Sequence, residues 1–351
     1  MTTGPVRGAR VEKKVPASGY YLTPSCVAGA FAPSTEPLIG RVFDLLGVSW
    51  ALPTPRLESE HTCCSGMLTH GDLFQIESTL LVTARLWSVA AEAGMENLVC
   101  ACVTSYATHS ESLALLEHEP GLADKVDRLL QEACGRRLVI PKHVVHASDV
   151  FHKFRTKLAG SMIHRLVDRR TGRPLKVVDH VGCHYAKIFP EKAIGGADYC
   201  DVLSALIREW GGAEIDYPQR RACCGMGFRQ CVIQPNRGYT MACIQKKLAS
   251  MAPYAPDLIL TNCPGCHLFL DREQWAVNSL TGSRHAVPVL SYAELAGVLL
   301  GWDPYDVVGI QSHATPVEPL LEKIGVPVGP HGTTPERRRI EGAPSKKVVV
   351  A

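Results

Sequence analysis

A chain of 351 residues, 46% hydrophobic and 20% charged, has enough apolar material for two ordinary domains, at about 100–200 residues each, and is not disordered throughout. Its formal charge of +3, spread over scattered Lys and Arg, leaves no footprint for nucleic acid or an anionic membrane. The chain has neither a secretory h-region nor an apolar run of about 18 residues, so a cytoplasmic location is expected; fourteen cysteines kept reduced there point to metal or redox chemistry rather than disulfides.

In chain order, 1–17 reads as a flexible N-terminal segment. An apolar run then leads into Cys26, and Leu38, Ile39, Val42, Phe43, Leu45 and Leu46 recur on one helical face that Gly47 closes. A short strand-like run over 48–53 precedes the pair Cys63-Cys64. A helical stretch over 79–93 follows, then a strand over 97–102 carrying Cys100 and Cys102. After an extra helical excursion over 109–141, a strand runs into a helix over 143–151.

The second half repeats this order. Cys183 is followed by a helix bearing Val202, Leu203, Leu206, Ile207 and Trp210, a strand over 213–218, and the pair Cys223-Cys224. A helix over 238–250, a strand over 257–261, Cys263-Pro264-Gly265-Cys266, and a strand and helix over 287–300 complete it. The offset between copies is 157 at the single cysteine, 160 at the pair and 163 from Cys100 to Cys263, too regular for chance. The reading is an α/β protein of two pseudo-symmetric repeats, 18–170 and 171–325, each a mainly parallel sheet flanked by helices. The cysteines are expected at the C-terminal ends of the strands, where such sheets gather ligands. Residues 326–351, rich in Pro, Gly and Arg towards the end, are expected to be a disordered tail.

Thiolates are soft ligands that select zinc or iron–sulfur centres. Cys263 and Cys266 on a tight turn supply half of a tetrahedral site. Adjacent side chains in an extended stretch point apart, but Gly225 frees the backbone to bring Cys223 and Cys224 together. Five thiolates exceed the four that zinc uses, so either one is spare or the centre is polynuclear.

The order single Cys, Cys-Cys-Gly, C-x-x-C, written twice, resembles the cysteine-rich repeat in the B-type subunit of heterodisulfide reductase. The same repeat occurs in iron–sulfur subunits linked to lactate, glycolate and succinate oxidation. Val181-Gly182-Cys183-His184, Cys223-Cys224-Gly225-Met226-Gly227, Asn262-Cys263-Pro264-Gly265-Cys266 and Leu299-Leu300-Gly301-Trp302-Asp303-Pro304 carry the likeness, which covers about 18–325. The resemblance implies a non-cubane 4Fe–4S cluster on Cys183, Cys223, Cys224, Cys263 and Cys266, with one cysteine of the pair bridging irons. A second is implied on Cys26, Cys63, Cys64, Cys100 and Cys102, with disulfide cleavage between the two by single electrons. It further implies an oxidoreductase acting on sulfur groups within a complex, with a ferredoxin-like C-type subunit and a flavin-containing A-type subunit as partners. The substrate would be a thiol, a disulfide or lipoyl-bound sulfur, as in bacterial sulfur oxidation. The chain has no G-x-G-x-x-G nucleotide fingerprint after a strand, so its electrons must come from partners.

The first copy departs from the pattern. Ser65-Gly66 follows its pair, and Cys100-Ala101-Cys102 is a C-x-C. If Cys102 matches Cys266, the other ligand position holds Val99 and Cys100 is one place off; on a strand Cys100 and Cys102 share a face and both reach one metal with local bending. Zinc or a degenerate site is the alternative for this copy. The rival function is a non-catalytic electron-transfer subunit of a lactate-, glycolate- or succinate-type dehydrogenase complex, and a third reading is a zinc-only structural module. His184 and His61 are candidate proton donors and His267 is a further neighbour, set against the more ordinary role of orienting ligands. Lys187 and Arg221 are placed to offset thiolate charge. Cys134, Cys200, Cys231 and Cys243 have no counterpart in the other copy; Cys200 and Cys243 read as core filler, and Cys231 as filler or site lining.

Overall fold

The computed structural model describes residues 13–52, 63–71, 73–227 and 238–328. Strands β1 (Tyr20–Thr23), β2 (Trp50–Ala51), β3 (Asn97–Cys100) and β4 (His143–His146) form one sheet in the order β2-β1-β3-β4. Strands β5 (Lys176–His180), β6 (Ala213–Glu214), β7 (Leu258–Thr261) and β8 (Val289–Ser291) form another, in the order β6-β5-β7-β8. Every pairing is parallel. The same topology twice is the repeated α/β architecture that the spacing predicts. Parallel strands joined by helices are covered on both faces, which is why β1, β3 and β7 are buried at every position.

The helix Thr35–Leu46 buries Leu38, Ile39, Val42, Phe43 and Leu46 and ends at Gly47 in the left-handed conformation, φ 70°. Leu45, which the helical pattern groups with them, faces outward at 44% exposure. The expected excursion over 109–141 is only partly extra: helix Val103–His118 matches Pro264–Thr281 of the second copy, and helix Leu122–Cys134 is the true insertion.

The copies pack reciprocally. The short helix Cys183–Ala186 lies on Val103–His118, and its first-copy equivalent Cys26–Phe31 lies on Pro264–Thr281. Likewise Tyr292–Leu299 packs on Thr35–Leu46, and Ser204–Glu209 on Ala147–Lys153. Each contact is thus the image of another, an approximate two-fold relation, and one core runs from Tyr20 and Val42 through Leu260 to Leu320. Gly182 sits where the copies come closest: a Cβ there would lie 2.7 Å from Val103 Cγ2 and 2.8 Å from the Cβ of Cys263.

The end of the segment expected to be flexible is instead held in place. Lys13 Nζ lies 2.6 Å from the buried Asp149 carboxylate, Val15 joins the core, and Lys153 Nζ donates to the Val15 carbonyl at 2.6 Å. A carboxylate with no exposure needs an opposite charge, and this segment supplies it. Residues 1–12 and 329–351 lie outside the described residues, so the expected tail does too except for 326–328.

Candidate metal centre

In the second copy the ends of β5 and β7 deliver the ligands. Three residues past β5, Cys183 opens its short helix; the preceding Gly182 N–H donates to Asn262 Oδ1 at 2.9 Å, tying the two strand ends together. Two residues past β7, Cys263 is the N-cap of Pro264–Thr281, with proline in the first turn, and Cys266 lies one turn in. The N–H groups of Gly265 and Cys266 turn towards the Cys263 sulfur and, after the hydrogen bond from the Cys266 thiol, help hold that thiol below its usual range. Gly225 lets the pair turn: its φ is 91°, its N–H lies 3.3 Å from Cys223 Sγ, and a Cβ there would meet the Thr240 carbonyl at 2.8 Å. Cys224 Sγ comes to 3.2 Å from Cys266 Sγ.

The first copy follows the same plan with a different register from the one expected. Cys102 is the N-cap of Val103–His118, as Cys263 is of Pro264–Thr281. Cys100 pairs with Thr23 in the sheet at the place where Thr261 pairs with His180. Cys102 is therefore the counterpart of Cys263 and not of Cys266; Cys100 takes the place of Thr261, and Ser105 the place of Cys266. A signal for this was present, because the offset of 161 from Cys102 to Cys263 stays closer to the 160 of the pair than 163 does. Cys100 is fully buried against Thr23 and Ser105, and burial pushes its thiol up to about 12. Ser65 stands in the place of Gly225 and adopts the same left-handed turn, φ 56°.

Nine of the ten predicted cysteines face one cavity of about 60 Å³: Cys26, Cys63, Cys64 and Cys102 from the first copy and Cys183, Cys223, Cys224, Cys263 and Cys266 from the second. Cys100 is not among its lining residues. The remaining wall is mainly apolar, including Val27, Val103 and Met226. The two sets are close enough to feel each other: burial, then the charge of Cys263, pushes Cys102 up to about 11. Hydrogen bonding to Cys223 raises Cys183 and Cys224, bonding to Cys224 raises Cys266, and bonding to Cys63 raises Cys26. So many acidic groups in one buried space cannot all ionise unless a polycation sits among them.

His184 lines the cavity at the boundary between the copies. Its Nδ1 is 3.1 Å from Thr104 Oγ1 across that boundary, and its ring stacks on His70 with centroids 4.5 Å apart. Burial, with His70 beside it, takes His184 down to about 4, so the ring is neutral. Sequence reasoning missed His180, at the end of β5. It is fully buried, both ring nitrogens lack a hydrogen-bond partner among the described residues, and it stands within 4.8 Å of the Cys224 and Cys266 sulfurs. Lys247 was missed too. It is buried behind the same thiols, and burial takes it down to about 8 although Cys224 and Cys266 pull the other way.

The other candidates fall elsewhere. His267 turns away from the cavity towards Glu294 and His313. Arg221 braces the loop before the pair, donating to the carbonyls of Asp198 and Cys200. Lys187 is exposed, Cys200 is core, Cys243 lies against Gly225, and Cys134 is exposed. His61 and Cys231 lie outside the described residues. A larger open cleft of about 480 Å³, bordered by Tyr199, Asp201, Glu214 and Tyr254, contains no part of the thiol set.

Five thiols, two orphaned buried imidazole nitrogens and a buried ammonium suit a polynuclear iron–sulfur centre better than a four-ligand zinc. The fold and site together define a duplicated α/β protein of the cysteine-rich, metal-binding class. Residues 177–271 match the family described as CCG, cysteine-rich domain. The chain is 28% identical to the B-type subunit of the ferredoxin:CoB-CoM heterodisulfide reductase of Methanosarcina acetivorans, over 90% of this chain and 98% of that one. It is 25% identical to a heterodisulfide reductase B-subunit-like protein of Archaeoglobus profundus, over 87% of this chain and 97% of that one. A solved structure of a hypothetical protein from Helicobacter pylori shares the fold with a TM-score of 0.56 at 10% identity, over 85% of this chain and 53% of that one, so the chain spans about half its length. The protein is thus like the B-type subunit of heterodisulfide reductase, of the cysteine-rich iron–sulfur class. No described helix is long and apolar enough to cross a membrane.

Proposed function

We propose that this protein carries out thiol–disulfide redox chemistry in the cavity between its two copies, as one subunit of an electron-transfer complex. Cys183, Cys223, Cys224, Cys263 and Cys266 hold a non-cubane 4Fe–4S cluster. Cys26, Cys63, Cys64 and Cys102 hold a second centre, a 4Fe–4S cluster or, with only four thiols, zinc. The single observation that carries this reading is that both thiol sets open onto one largely apolar cavity. A subunit that only relays electrons has no need to turn two centres towards a common space.

Bound there, an iron–sulfur cluster supplies or accepts electrons one at a time. Opening a disulfide takes two electrons and two protons and leaves two thiols. The electrons come from a ferredoxin-like C-type subunit and ultimately a flavin-containing A-type subunit; run in reverse, the same chemistry oxidises a thiol or lipoyl-bound sulfur. The apolar wall formed by Val27, Val103 and Met226 takes up the carbon skeleton around the sulfurs. Thr104 fixes the His184 ring, whose neutral form donates one N–H to a substrate thiolate as it forms. His180 and Lys247 lower the cost of negative charge on the second-copy sulfurs.

The test is metal analysis and turnover of anaerobically purified protein. About eight irons per chain fits two clusters, and about four irons with a zinc held by sulfur at about 2.3 Å fits one cluster and a zinc site in the first copy. The chemically reduced protein should open a small disulfide, and Cys224→Ala should abolish this. Turnover that survives the substitution, or iron-loaded protein with no turnover at all, sinks the catalytic reading in favour of a relay subunit.

A further inference from the structure

A second buried cluster lies outside the cysteine cavity. Glu294 closes a capping box at the start of helix Tyr292–Leu299, accepting from the Ser291 N–H at 2.8 Å. Its carboxylate has no exposure and faces two imidazoles: Oε1 is 3.3 Å from His313 Nε2, and Oε2 is 3.6 Å from His267 Nδ1. Both histidines are buried, His267 at 5% and His313 at 2% exposure. Three distant segments meet here: the first turn of Pro264–Thr281, the start of Tyr292–Leu299, and the residue after the 3-10 turn Ile310–Ser312. Asp271 holds that last segment in place, accepting from the N–H groups of Ala314 at 2.7 Å and Thr315 at 2.8 Å. A cavity of about 10 Å³, room for one water, is lined by both imidazoles together with Asp271 and Ser312.

The first copy shows what such a carboxylate requires. Asp149 holds the same place in helix Ala147–Lys153 and is equally buried; it faces the Lys13 ammonium at 2.6 Å, and Lys13 also donates to the Tyr106 hydroxyl at 2.9 Å. Tyr106 stands where the second copy has His267. Asp149 also accepts from the Tyr185 hydroxyl; where it has that phenol and an ammonium, Glu294 has two imidazoles. A buried carboxylate calls for a full opposite charge. Two His and one Glu are a set that zinc takes, with bonds of about 2.0–2.2 Å to each, and one ligand atom from each of the three lies within 4.8 Å of the other two.

We propose that His267, Glu294 and His313 bind a divalent cation of the zinc type, which staples the segment after the second repeat to its last strand and helix. The cation plays the part that Lys13 plays in the first copy, and a water in the adjoining cavity completes its coordination. This site is independent of the cysteine centres and does not rest on the redox reading.

The test is zinc content and zinc K-edge absorption of the anaerobically purified, chelator-washed full-length protein, beside the His313→Ala variant. One zinc with nitrogen and oxygen neighbours at about 2.0 Å is expected, lost in His313→Ala while iron content and cluster absorbance stay unchanged. No zinc, zinc with only sulfur neighbours at about 2.3 Å, or a nitrogen–oxygen shell that survives in the variant overturns the proposal. If His313→Ala does not fold, the coordination shell of the wild-type zinc decides alone.

Discussion

The two copies share strand order, helix caps and reciprocal contacts, yet present different chemistry at equivalent places. The second copy offers five thiols backed by His180; the first offers four, with Ser105 where Cys266 stands and Thr23 where His180 stands. Its set is also more open, since Cys26 and Cys63 are exposed whereas Cys183 and Cys223 are half-buried. The core maintains the fold while the ligands sit on strand ends and first turns, where one side chain changes without disturbing a layer. Ser105 and Cys266 occupy the same place on the same kind of helix, and only the site registers the difference.

Exchanging residues between the copies breaks or sharpens this contrast. The largest effect is expected from Cys266→Ser, which gives the second copy the first copy's ligand set; it should lose most of that cluster's iron, about four atoms per chain, and its visible absorbance. The converse, Ser105→Cys, should let the first copy retain a full iron–sulfur cluster, seen as more iron, less zinc and stronger absorbance in one preparation. Asp179→Leu copies Leu22 from the first copy. Asp179 is fully buried, 2.5 Å from Arg220 Nε and 3.5 Å from Arg221 Nη1, just ahead of the cysteine pair. Arg220 keeps Glu214 at 2.5 Å and Arg221 keeps the Asp198 and Cys200 carbonyls, so losing the Asp179 carboxylate should cost about 1–3 kcal/mol in denaturant unfolding and loosen the Cys223 loop. Smallest is Ser65→Gly, which places the second copy's glycine in a left-handed turn that now strains a serine; a gain of about 0.5–1 kcal/mol is expected, with metal content unchanged.

What could be read from the chain alone was whatever is written locally. Alternation of strands and helices, the glycine that ends Thr35–Leu46, the cysteines just beyond β1, β3, β5 and β7, and the cysteine pairs after β2 and β6 all follow from short-range pattern, which identified the cavity's nine cysteines. The C-x-C motif misled because two residues of register separate a buried strand position from a helix cap, and spacing does not say where a strand stops. Only the tertiary structure set Cys102 as the partner of Cys263, retired Cys100 into the sheet, and turned His267 away while bringing His180 to the sulfurs. It alone placed the two thiol sets face to face and drew Lys13 onto Asp149. Those outcomes depend on one copy docking against the other, with Gly182 allowing close approach to Val103 and Cys263, and contacts between residues so far apart in the chain leave no periodic trace in it.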